Sequence, residues 1–145
     1  HFTIFSADRR ERLHGHNFAV QALISGVPDD NGMMGDYGVF KRILFDLCRS
    51  LDEYFLLPGL SPHLRLVEEG EHIFAEFAGE RIPFLRSDVL VLPIRNVTVE
   101  ELARHLCARL VDEGALLAAW PIHELTVKVS SGPGQFGAAK WRRSP

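Results

Sequence analysis

Three histidines carry the chemistry that can be read from this chain. His14 and His16 sit two apart in Leu13-His14-Gly15-His16-Asn17-Phe18, at the mouth of an alternating apolar run through Val20, Ala22 and Ile24. In an extended strand, residues two apart share a face. Both imidazoles can therefore converge on one metal ion, and Gly15 leaves the opposite side uncluttered. A catalytic zinc takes three protein ligands and keeps an open position. His1, upstream, is the third candidate ligand. The competing reading is two strand histidines on a solvated face.

Carboxylates stand near these histidines in the chain. Glu11 lies three residues before His14, within reach of a general base on a bent loop. Its competing reading is a surface carboxylate neutralised by Arg9, Arg10 and Arg12. Asp52 and Glu53 fall at the C-terminal end of an expected helix, where carboxylates oppose the helix dipole. Adjacent helical residues point about 100° apart, so one of the two enters a site, and Asp52 is the choice.

The elements that must position these groups follow from periodicity. His1 to Phe5 reads as a short strand, Ser6 to Arg12 as a charged connection, and Phe18 to Val27 as a half-buried strand. Pro28-Asp29-Asp30-Asn31-Gly32 is turn chemistry. A helix is expected from Tyr37 to Phe55, with Phe40, Ile43, Leu44, Leu47 and Leu51 on its apolar stripe. From Leu64 to Pro93 the period switches to two, with a hairpin turn at Ala78-Gly79-Glu80. A second helix opens near Asn96, with Thr98 and Glu101 as a capping box. Leu102, Leu106, Leu110 and Val111 form its buried stripe, and Gly114 and Pro121 bracket its end. Glu124 to Ser130 is expected as the last strand, Gly132 to Gly137 as a loop, and Lys140 to Pro145 as a basic tail. The class is α+β: a mostly antiparallel sheet with two amphipathic helices on one face.

The 145 residues are expected to form one domain, residues 1–145. A hydrophobic content of 46% with 24% charged residues is that of a soluble globular protein. The formal charge of −3 gives no pull toward nucleic acid or anionic membrane, so neither is an expected partner. No apolar run approaches the roughly 20 residues of a membrane span. The chain opens at His1 rather than methionine, and a truncated N-terminal strand is expected. Cys48 and Cys107 both fall in helical patterns, which favours free thiols in a reducing cytoplasm.

The ordered set His1-Phe2, Glu11 to Phe18, Gly32 to Tyr37, Leu51-Asp52 and Thr98-Val99-Glu100 resembles the 6-pyruvoyltetrahydropterin synthase superfamily, which includes 6-carboxytetrahydropterin synthases. The resemblance spans almost the whole chain. It implies the tunnelling fold, in which trimers close an oligomeric barrel and two trimers stack as a homohexamer with sites between subunits. It implies zinc on His1, His14 and His16, and a pterin-type small-molecule substrate. The implied activity is a zinc-dependent lyase acting on 7,8-dihydroneopterin triphosphate, in folate, queuosine or related pterin biosynthesis.

Three positions depart from the family pattern. The cysteine expected four residues before His14 is Arg10, although some relatives use a glutamate where Glu11 stands. That branch gives 6-hydroxymethyl-7,8-dihydropterin; others give pyruvoyl or carboxy products. The family's Asp-His pair is Asp52-Glu53. The glutamate that grips the pterin edge is replaced by Ser130-Ser131-Gly132, a loss of about 1–3 kcal/mol where donors go unpaired. Thr98, Glu100 and Ser131 are the substrate-binding candidates implied by the resemblance, and Arg9, Arg10, Arg12, Lys128 and Lys140 a candidate cationic rim for a triphosphate. The alternative function is a zinc-containing paralogue that binds a pterin- or purine-like ligand without turning it over.

Overall fold

The computed structural model describes residues 1–112 and 120–144. Strand β1 (Ala19–Gly26) alternates exposed and half-buried side chains, as its sequence period requires. Helix α1 (Tyr37–Arg49) starts at Asp36, whose carboxylate accepts the Gly38 N–H at 2.7 Å and caps an otherwise orphaned donor.

Helix α1 ends at Arg49, well before the expected Phe55. The Ser50 hydroxyl donates to the Leu47 carbonyl at 2.7 Å. The amides of Leu51 and Asp52 then bond three residues back, at 3.0 and 3.2 Å. Glu53 turns the chain out with a positive φ of 65°. Phe55–Pro58 becomes strand β2 and pairs in parallel with β6 (Val89–Leu92). A short apolar run fits a helix or a buried strand equally well, and here a partner more than thirty residues away decided. The parallel pair is also the exception to the expected antiparallel pattern.

Strands β3 (Arg65–Glu69), β4 (His72–Phe77) and β5 (Glu80–Leu85) form an antiparallel meander in that order. The expected hairpin is present: Ala78 and Gly79 both take positive φ, 48° and 82°, the signature of a tight two-residue turn. Ile73, Ala75 and Phe77 line the buried face and pack with Phe2, Ile4, Leu57 and Val89 into a core of their own.

Helix α2 (Val99–Asp112) buries Leu102, Leu106 and Leu110 as expected. Gly114, expected near its end, lies outside the described residues. The capping box is half made. The Thr98 hydroxyl accepts the Glu101 N–H at 3.3 Å, but the Glu101 carboxylate turns to the Arg95 amide at 2.9 Å and its guanidinium at 2.7 Å.

The expected last strand is longer, β7 (Ile122–Gly132), and is followed by β8 (Gln135–Arg142) in place of a loop and basic tail. The three strands order β1-β7-β8, all antiparallel. Lys140 and Arg142 sit at alternate positions of β8 and reach Glu124 on β7 at 3.0 and 2.7 Å, while Ala139 and Trp141 turn to the main core. Alternating charge and apolar residues is the strand period that a reading by composition hides. Gly137 lets β8 touch the start of α2: a Cβ there would lie 2.5 Å from the Glu100 nitrogen. The α+β class with helices on one sheet face stands.

Candidate metal centre and active site

The first fourteen residues fold as a narrow antiparallel ribbon. Ile4 bridges Arg10, Glu11 N–H donates to the Thr3 carbonyl at 2.8 Å, and Phe5 N–H donates to the Arg9 carbonyl at 2.8 Å. Continuing that register would set His1 opposite Leu13. Instead His1 and His14 exchange backbone bonds, at 3.0 and 3.1 Å. The register slips by one residue between Glu11 and His14. Such a bulge re-aims side chains, and here it sets the His1 ring beside the His14 ring, centroids 4.7 Å apart.

His14 and His16 precede β1, at the mouth of the expected strand rather than within it. They converge nonetheless. Their Nε2 atoms lie 3.0 Å apart, and the three histidines place one ligand atom each within 4.8 Å of one another. His14 Nδ1 lies 2.7 Å from the Arg12 carbonyl oxygen, which suits an Nδ1–H donor and leaves the Nε2 lone pair facing its partners. Phe18 packs its ring 5.5 Å from His1 and 5.6 Å from His16. Neutral imidazoles with their free nitrogens turned together repel unless a proton or a cation lies between them. Such a donor set fits a borderline-soft divalent ion such as zinc.

Glu11 closes on the same point. Its Oε2 accepts the Thr3 N–H at 3.1 Å and lies 3.7 Å from His14 Nε2. Two of the arginines expected to neutralise it are engaged elsewhere. Arg10 Nε donates to Glu80 Oε2 at 3.0 Å, and Arg9 lies over the Phe5 ring at 4.8 Å.

The histidines open onto a cleft of about 1140 Å³. Asp52 and Glu53 both line it, beside Cys48, Tyr54 and Asp88. Neither carboxylate is helical, so the helical divergence that would turn one of them away does not operate here. Burial, then the Asp52 charge, pushes the Cys48 thiol above its usual value, which keeps it protonated. Cys48 was not legible as a site residue in the sequence; its signal was the four-residue spacing from Leu44 and to Asp52 across the end of α1. Both Cys48 and Cys107 are free thiols, as expected.

Thr98, Glu100 and Ser131 do not line that cleft. Thr98 and Glu100 border a separate hollow of about 450 Å³ with Ile4, His63 and Arg95, and the Ser131 hydroxyl sits 3.4 Å from Gln135 Oε1. Arg9, Arg10, Arg12, Lys128 and Lys140, the expected cationic rim, do not line the cleft either. Besides the engagements of Arg9 and Arg10, Lys140 pairs with Glu124 and Lys128 lies over Phe136 at 5.7 Å. Among the described residues, the cation lining the cleft is Arg49.

A family model described as 6-pyruvoyl tetrahydropterin synthase matches residues 1–136. The chain belongs to the 6-pyruvoyl tetrahydropterin synthase family. Among curated members, it is 25% identical over 124 residues to the putative 6-carboxy-5,6,7,8-tetrahydropterin synthase of Methanocaldococcus jannaschii, covering 85% of this chain and 76% of that one. It is 29% identical over 125 residues to the protein of the same description from Pyrococcus abyssi, covering 86% and 72%. The 6-pyruvoyl tetrahydropterin synthase of Plasmodium falciparum superposes with a TM-score of 0.91 at 28% identity, covering 98% of this chain and 88% of that one. The Plasmodium vivax enzyme superposes equally well, at 26% identity. Two further Plasmodium vivax structures, each 25% identical to this chain, are described as catalytic-residue mutants in which a glutamate is exchanged for cysteine or alanine. The fold shared with these synthases is the tunnelling fold expected from the sequence. Within this pterin synthase family, the chain has no helix long and apolar enough to cross a membrane among its described residues.

Proposed function

We propose that the chain is a zinc-dependent lyase acting on 7,8-dihydroneopterin triphosphate or a close relative, with a 6-hydroxymethyl-, 6-pyruvoyl- or 6-carboxy-pterin product. The observation that carries this reading is the convergence of His1, His14 and His16 with a carboxylate 3.7 Å from His14 Nε2. Bound zinc would supply a Lewis acid for a side-chain hydroxyl of the substrate, easing the charge that develops on its oxygen.

The chain's own groups do the rest. Glu11, oriented by the Thr3 amide, takes the proton released when the pterin side chain eliminates or cleaves. Asp52, on the cleft wall, is the second carboxylate available to move that proton. That a glutamate is named as the catalytic residue in the Plasmodium vivax structures supports a carboxylate in this role. The archaeal relatives' description favours a carboxy product, of the kind used for queuosine.

Thr98, Glu100 and Ser131 lie outside the cleft of their own chain. Their part in holding the pterin ring therefore requires a neighbouring copy, and the proposal includes a homohexamer of two stacked trimers. It also places the protein in the cytoplasm, in keeping with its two free thiols. Mass spectrometry of products after incubating zinc-loaded protein with 7,8-dihydroneopterin triphosphate tests the reading. A new pterin product supports it; recovery of intact substrate rejects it.

Arg10, Glu53 and Ser131, in place of the expected cysteine, histidine and glutamate, favour a second reading: a binding paralogue without turnover. Calorimetry with dihydroneopterin separates the two, since heat of binding with no product supports the paralogue.

A further inference from the structure

Arg10 is placed between the ribbon that carries Glu11 and the meander β3–β5. Its guanidinium makes three kinds of contact. Nε donates to Glu80 Oε2 at 3.0 Å, at the start of β5. Nη1 donates to the Glu11 backbone carbonyl at 2.8 Å. The Cζ carbon lies 5.4 Å above the Phe2 ring. The Arg10 side chain is 19% exposed and that of Glu80 55%, so the bond to the Glu11 carbonyl is partly shielded while the pair with Glu80 faces solvent. The opposite arm of the ribbon is clamped as well. Asn96 accepts the Ile4 N–H at 3.1 Å and donates to the Ile4 carbonyl at 2.7 Å.

A planar fork that bonds a carboxylate on one element and a carbonyl on another fixes their separation. Here the carbonyl belongs to the residue whose carboxylate faces the histidines. We propose that Arg10 is a positioning residue. Through Glu80 it ties the Glu11 backbone to the meander, and so holds the Glu11 carboxylate at its distance from His14. The three strands of the meander line no part of the histidine cleft. They serve instead as the abutment against which the reactive loop is braced. The inference rests on Glu11 acting in the reaction proposed above.

The test uses the full zinc-loaded chain with Arg10→Ala, Glu80→Gln and the double variant. A displacement of about 1 Å at a reacting group can cost about a hundredfold. Arg10→Ala is therefore expected to lower kcat by about ten- to a hundredfold, with KM and zinc content within about twofold of the parent. Glu80→Gln should lower kcat in the same direction, and the double variant should be no worse than Arg10→Ala alone. A kcat for Arg10→Ala within about twofold of the parent, or a double variant whose loss is the product of the two single losses, overturns the proposal.

Hydrogen exchange separates this failure from failure of the proposed reaction. In Arg10→Ala the Thr3 and Glu11 amides should exchange faster while those of β7 stay protected. If the parent turns over no pterin, the reaction is wrong, and the exchange result still decides whether Arg10 braces the loop. Unchanged exchange at Thr3 and Glu11 rejects it.

Discussion

Glu11 Oε2 stands 3.7 Å from His14 Nε2, at the far side of a one-residue slip in the ribbon that joins them. The carboxylate is held in place by an amide of the opposite arm, Thr3, rather than by a neighbouring cation. It is thus free to accept a proton from whatever occupies the histidine pocket. Replacing Glu11 by Gln keeps the shape and the Thr3 bond but removes the base. Turnover should fall by about a hundredfold or more, within the range of about 10²–10⁴ typical of general bases. Steady-state kinetics with metal content measured on the same sample checks this. An unchanged kcat removes Glu11 from the mechanism.

The donor set predicts the metal's behaviour. Elemental analysis of protein purified without chelator should give close to one zinc per chain. His16→Ala should lose it, because two imidazoles rarely hold zinc. A ligand at about a hundred times its Kd adds about 2.7 kcal/mol to stability. Zinc should therefore raise the parent's Tm and leave that of His16→Ala unmoved. Equal zinc-induced shifts in both proteins would contradict a shared three-histidine site.

Two glycines should respond in opposite ways to the same methyl group. At Gly137 a Cβ would meet backbone atoms of Val99 and Glu100 at 2.6 and 2.5 Å, and backbone cannot step aside cheaply. Gly137→Ala should cost about 1–3 kcal/mol, as overpacking does. At Gly15 a Cβ meets nothing within 4 Å in its own chain. Gly15→Ala should leave denaturant stability of the single chain close to the parent's. Urea titration of both variants gives the comparison, and equal midpoints would refute it.

His105 gives the fold a pH dependence of predictable sign. Its buried Nε2 has no hydrogen-bond partner among the described residues. Burial, and after it the Arg109 charge, lowers its pKa below the ordinary 6.5. In the unfolded chain the ring protonates near pH 6.5, whereas in the folded chain it stays neutral to lower pH. The unfolded state therefore binds more protons in that window, and stability falls as pH drops below about 6.5 toward the folded pKa. His105→Leu should remove both the unpaired nitrogen and this slope. Its stability gain over the parent, of about 1 kcal/mol where an unpaired group costs about 1–3, should be larger at pH 5.5 than at pH 8. Thermal melts at both pH values measure it, and parallel curves would sink the assignment.

What the sequence alone determined was local. Period two built β1 and the meander, period 3.6 built both helices, and Thr98 marked where the second helix begins. The three histidines and Glu11 were legible because their residue types and short spacings state their chemistry. Tertiary structure decided whatever depended on a distant partner. Phe55–Pro58 is a strand because Val89–Leu92 pairs with it, and Gln135–Arg142 is a strand because β7 pairs with it from Glu124 to Gly132. The histidines meet through a register slip between two arms of a ribbon, not through the face of one strand. Hydrophobic period records which side of an element is buried. It does not record which element lies across from it, because the backbone bonds that settle register are the same for every residue type.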